Sequence, residues 1–124
     1  MATFSAQRGE VIAPHGATAA NALGLTQQVP IREAYLTSGR TRTLKLGQTE
    51  VLVKHAPAWM LALGSRPAGA AVRALAWLGP TQAQPSLSQL HQSLPAEEWQ
   101  LLMTSRATLP GWMSRAIGEE STRV

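Results

Sequence analysis

The chain contains no cysteine and no aspartate, one phenylalanine, one tyrosine and only two lysines among its 124 residues. Lack of cysteine removes disulfides, thiolate metal ligands and cysteine nucleophiles together. Lack of aspartate leaves seven glutamates and three histidines as the whole stock of carboxylate and imidazole groups, a thin supply for a metal or hydrolytic centre. No apolar run approaches the roughly 18 to 20 residues that a membrane span needs. The first residues do not place a positive region ahead of a hydrophobic block. A cytoplasmic protein with no membrane partner is the expectation.

What is present is ordinary for a globular chain: 44% apolar and 15% charged residues, enough for one domain with its own core and too short for two. Nine arginines and two lysines against seven glutamates give a net charge of +4. That excess permits an anionic partner without requiring one. The planar guanidinium fork suits paired contacts to phosphate or carboxylate, although GC-rich coding produces the same arginine bias.

Residues 1–13 read as an N-terminal stub, 14–118 as a single α+β domain and 119–124 as a polar tail. The segment from Pro14 to Ala56 organises the rest. Ala17, Ala19, Ala20, Ala22 and Leu23 make a small-residue helix, and Gly24 stands where a left-handed C-terminal cap belongs. Asn21 inside that helix is expected to bond a neighbouring loop, since its amide competes with helical backbone. Pro30 holds Val29 extended, and Ile31 to Thr37 then reads as a strand. Ser38-Gly39 reads as a hairpin turn, Arg42 to Leu46 as a half-buried strand of period two, and Gly47-Gln48 as a second turn into Thr49 to His55. The simplest arrangement is a small antiparallel three-stranded sheet, a meander, preceded by the short helix and covered by the C-terminal helices.

Those helices read as Ala58 to Leu63, then Pro67 to Leu78 capped by Ser65, one starting at Ser86 or Ser88, one starting at Pro95, and a last short turn from Trp112 to Ile117. Residues 81–88 read as a low-complexity connection. Glu97 and Glu98 occupy a first helical turn, where the helix dipole favours negative charge. Trp59, Trp77, Trp99 and Trp112 all fall in these helices and are expected to anchor the core. Two of them exposed together would mark a partner site.

Catalytic chemistry finds little to build on. The histidines, His15, His55 and His91, show no HxH, HxxxH or HExxH spacing, and His55 at a strand end is expected to bond a loop carbonyl. No GxSxG, SxxK, GxGxxG or phosphate-loop pattern occurs. A non-enzymatic protein without metal or cofactor is the expectation; an enzyme would need a pocket gathering Glu33 or Glu50 with His55. The basic residues Arg32, Arg40, Arg42, Lys45 and Lys54 form the candidate contact surface for an acidic protein or for nucleic-acid phosphates. The same charges also suit an exposed strand that must not pair with other molecules.

The combination GATAANALGLTQQVP, YLTSGRTRTLKLG and LVKHA, followed by the LPAEEW helix, resembles the C-terminal domain of bacterial AbiEi-like type IV antitoxins and transcriptional regulators, over about residues 9–118. That resemblance implies a non-catalytic effector domain. Its partner would be a nucleotidyltransferase-like toxin, and the domain would support DNA binding. From the residues themselves, like-signed charge near a turn makes the Arg40/Arg42 hairpin the expected contact. Family members carry a winged helix-turn-helix ahead of this domain, and only about 13 residues precede the similar stretch here. The expectation is therefore an excised or naturally truncated C-terminal domain, or a remnant, in which DNA contact is weak.

Overall fold

The structure is a computed structural model that describes residues 9–30 and 33–122; the side chain of Leu46 also lies outside the description. Among the described residues the elements run β1 (Ile12–Pro14), α1 (Gly16–Ala22), β2 (Ala34–Thr37), β3 (Arg42–Leu46), β4 (Thr49–His55), α2 (Ala58–Leu61), α3 (Pro67–Leu78), α4 (Ala83–Ser93), α5 (Ala96–Thr104) and α6 (Gly111–Ser121). The class is α+β, as composition and pattern imply. None of these helices is long and apolar enough to cross a membrane.

The sheet differs from the expected meander in strand number, order and direction. It has four strands in the order β1-β2-β4-β3. β3 and β4 do form an antiparallel hairpin, with Leu44 opposite Val51 and Lys45 opposite Glu50. Gly47 in the connecting turn has a φ of 66°, which glycine adopts without strain. β2, however, lies parallel to β4, with Tyr35 beside Val53 and Thr37 beside His55. Residues 12–14, expected in part as a stub, add an antiparallel edge strand against β2.

The physical reason is burial. Tyr35, Leu36 and Thr37 are all buried, so β2 is covered on both faces and takes a central place that an alternating hairpin strand would not. Ser38-Gly39 consequently makes no hairpin. The chain from Ser38 to Thr41 crosses the end of β4, where the His55 N–H donates to Thr41 Oγ1 at 2.9 Å and His55 Nδ1 meets the Gly39 carbonyl at 2.6 Å. The Gly39 N–H in turn donates to Thr37 Oγ1 at 2.9 Å. The expected role of His55 as a partner for a loop carbonyl holds.

Nor do the C-terminal helices simply cover the sheet. The largest core is helical, with Leu75, Leu87, Leu90, Leu102, Met113 and Ile117 at its centre and no strand residue in it. α4, α5 and α6 carry amphipathic faces that satisfy one another and α3. One sheet face closes over Tyr35, Val51 and Val53 with Ile12 and Leu44. The other gathers Ala13, Leu36, Ala56 and Leu61. α1 and α3 form the joint, packing Ala19 and Ala20 on Ala74. A Cβ on Gly16 would stand 2.5 Å from the Arg73 carbonyl oxygen and 2.8 Å from Trp77 Cβ, so only glycine lets α1 approach this closely.

Two helix limits also move. α4 begins at Ala83 rather than at Ser86 or Ser88, because Pro85 sits within the first turn, where a missing N–H costs nothing. α6 continues to Ser121, and Glu120, expected in a polar tail, is buried with Oε2 3.1 Å from His91 Nδ1. Asn21 behaves as expected, donating from Nδ2 to the Gln28 carbonyl at 2.9 Å.

Candidate functional site

Of the five basic residues expected to act together, the four that are described are dispersed. Arg32 lies outside the described residues. Arg40 is exposed on the crossing segment. Arg42 is engaged: its Nη1 and Nη2 donate to Glu10 Oε2 and Oε1 at 2.8 and 2.9 Å. Nη1 also donates to the Arg40 carbonyl at 3.0 Å. Thr37 Oγ1 donates to the same Glu10 carboxylate. The Glu10 carboxylate raises the Arg42 pKa above its ordinary value, against a smaller opposing effect of burial. Arg42 thus braces the crossing segment in place. Lys45 is exposed on β3 with Glu50 as its register partner.

Lys54 is the member that reaches a concave site. With His15, Arg73 and His55 it lines a cleft of about 250 Å³ whose apolar walls include Leu36, Ala56, Met60 and Trp77. β4 supplies Lys54 and His55, the β1–α1 junction supplies His15, and α3 supplies Arg73 and Trp77 one helical turn apart. Trp77, expected in the core with the other tryptophans, is 39% exposed. It lines a second, adjoining groove with Ala17, Gln28, Val29 and Pro30, and Val29 is 74% exposed. Trp99 is buried, with His91 stacked on it at 4.2 Å between ring centres, and Trp59 and Trp112 are half-buried.

Arg73 was not singled out by sequence pattern. Only 1% of it is exposed, and it bonds backbone rather than a carboxylate. Its Nε donates to the Pro14 carbonyl at 3.1 Å, and its Nη1 to the carbonyls of Gly64 at 2.8 Å and Met60 at 3.3 Å. Burial lowers its pKa, as it does for any cation removed from water without a counter-charge. His15 caps α1 by accepting the Ala17 N–H on Nδ1 at 3.0 Å. Burial, and then the neighbouring Lys54 charge, hold its pKa below the ordinary 6.5. Neutral His15 therefore carries its hydrogen on Nε2.

A family of unknown function, DUF6088, matches residues 1–98, a span that holds every strand among the described residues and every residue that lines the cleft. The chain belongs to that family. No curated protein and no solved structure matches it. The DUF6088 span ends at Glu98, the residue that reaches back from α5 to the start of α3.

Among the described residues, Glu33 and Glu50 are not gathered with His55 in one groove. Glu33 and Glu50 line a groove with Ala34, Thr43, Gln48 and Leu52, whereas His55 belongs to the cleft beside Lys54. Glu33 is occupied by Tyr35, whose hydroxyl donates to Glu33 Oε1 at 2.6 Å. Among the described residues no three histidine or glutamate side chains gather in a way that would hold a metal ion.

Proposed function

We propose that the chain is a non-catalytic, cytoplasmic recognition domain that docks a partner protein on the face carrying Lys54, Trp77 and Val29. The observation that carries this reading is the exposure of Trp77 and Val29 along one groove, next to the cleft with its cationic Lys54. Large apolar side chains grouped at the surface mark contact sites, and tryptophan is the side chain most often found at their energetic centre. The AbiEi-like resemblance supports an antitoxin or transcriptional-regulator role, with a nucleotidyltransferase-like toxin as the partner.

This places the contact on a different surface from the Arg40/Arg42 turn, because Arg42 is taken up by Glu10. Co-expression with a nucleotidyltransferase-like toxin is the test. Trp77→Ala combined with Lys54→Glu should abolish rescue from toxicity while Arg40→Ala leaves it intact. Rescue that survives the first pair and fails with Arg40→Ala would move the site back to the crossing segment. Binding to a DNA fragment that weakens steeply as salt rises would favour the nucleic-acid reading instead.

A further inference from the structure

Arg73 uses three of its five N–H donors on carbonyl oxygens. The two on Nη2 donate to no protein group. That nitrogen is not among the sealed, unpartnered polar atoms, which are Gln84 Oε1 and Glu120 Oε1. Arg73, although almost wholly buried, lines the cleft beside Lys54. Among the described residues no glutamate bonds or ion-pairs with it. A guanidinium fixed by three backbone contacts, buried without a counter-charge and keeping one free donor nitrogen, is already organised for an anion.

The surroundings narrow the kind of anion. Lys54 adds an exposed ammonium at the mouth, and neutral His15 adds an N–H. Leu36, Met60 and Trp77 supply apolar wall. The apolar wall suits an anionic head on a hydrocarbon stem better than a bare phosphate, because a stem gains from burial against Leu36 and Met60 whereas phosphate oxygens facing that wall would lose hydration. At about 250 Å³ the cleft has room for a group the size of one amino-acid residue.

We infer that the cleft between α3 and β4 receives one carboxylate carried on a short apolar stem, held by Arg73 Nη2 and Lys54. A chain end or acidic side chain of a partner and a free small acid present the same chemistry. The inference deepens the docking reading by naming the group that enters the cleft. Small-molecule probes test it apart from any partner.

The experiment is a titration of the full chain, followed by the Trp77 indole N–H and the cleft amides in NMR spectra. The probes are N-acetyl-leucine, N-acetyl-leucinamide, hexanoate and inorganic phosphate. Saturable shifts with one or both carboxylates, at a Kd on the order of 1 mM, and none with the amide, are expected. Lys54→Gln should weaken binding about three- to tenfold. Arg73→Lys should abolish it where circular dichroism shows a folded chain. Should Arg73→Lys not fold, the Lys54→Gln titration and the acid-against-amide comparison decide the matter. Preference for N-acetyl-leucine points to a chain end and preference for hexanoate to a free acid, and either supports the inference. Equal shifts with acid and amide, binding of phosphate as tight as that of the acids, no saturable shift, or unchanged affinity in Lys54→Gln would overturn it. Carboxylate binding together with toxin rescue untouched by Trp77→Ala and Lys54→Glu would sink the docking reading alone.

Discussion

His15 shows how one side chain links local structure to the cleft. Its Nδ1 lone pair takes the Ala17 N–H at the start of α1, and burial, then the nearby Lys54 charge, disfavours its protonation. With the folded pKa held below 6.5, both folded and unfolded states are neutral above that pH and stability is full. As pH falls below about 6.5 the unfolded chain binds a proton that the folded chain resists, so stability is lost until the folded pKa is passed. Melting temperature should therefore fall between pH 7 and 5. His15→Asn keeps a capping acceptor without titrating and should flatten that stretch of the profile. A wild-type melting temperature that is constant over this range would refute the assignment. The cap was not legible in the sequence, since histidine is not a preferred capping residue.

At the scale of elements, α3 depends on a residue far along the chain. Its N-cap, Arg66, provides no side-chain cap, and Ser65, the expected cap, is not the residue at that position. Glu98 supplies the acceptor instead: Oε1 takes the Ala68 N–H at 3.0 Å, while Oε2 takes Arg66 Nη2 at 2.6 Å and Nε at 3.2 Å. The Arg66 bond first, and then the backbone donor, hold the Glu98 carboxyl below its ordinary 4.5. A lowered carboxylate pKa stabilises the fold above the unfolded value, and that contribution disappears as pH falls through the folded one. Glu98→Gln should lower the melting temperature by several degrees at pH 7, with the gap to wild type closing below pH 4.5; a gap that persists in acid would rule out an ionic origin. The sequence correctly put Glu98 in the first turn of α5, and local dipole logic missed its main role because the partner N–H belongs to another helix.

For the molecule as a whole, Arg73 joins its two layers. It binds the end of β1 through Pro14 and, through Met60 and Gly64, the last turn of α2 and the segment that follows it, from a helix whose other face enters the main core through Val72 and Leu75. Arg73→Met fills similar space but strips three carbonyls of their donor, which should cost about 3 kcal/mol or more in urea unfolding. Hydrogen exchange should rise in β1 and β2 before it rises in α4 to α6. A loss below about 1 kcal/mol, or loosening that begins in the C-terminal helices, would contradict this role.

Sequence by itself determined what local spacing controls. Legible there were the class, the β3–β4 hairpin, the alanine-rich helix ending before Gly24, the loop-bonded Asn21 and the acidic first turn of α5. Periodicity and turn chemistry act over a few residues, so these features are written where they occur. Tertiary structure alone decided the neighbour of β2, the engagement of Arg42 by Glu10, the exposure of Trp77 and the burial of Arg73. Each of those depends on which distant segment arrives alongside. A buried arginine on α3 and a surface arginine look the same in a helical pattern, and only the arrival of Pro14, Met60 and Gly64 distinguishes them.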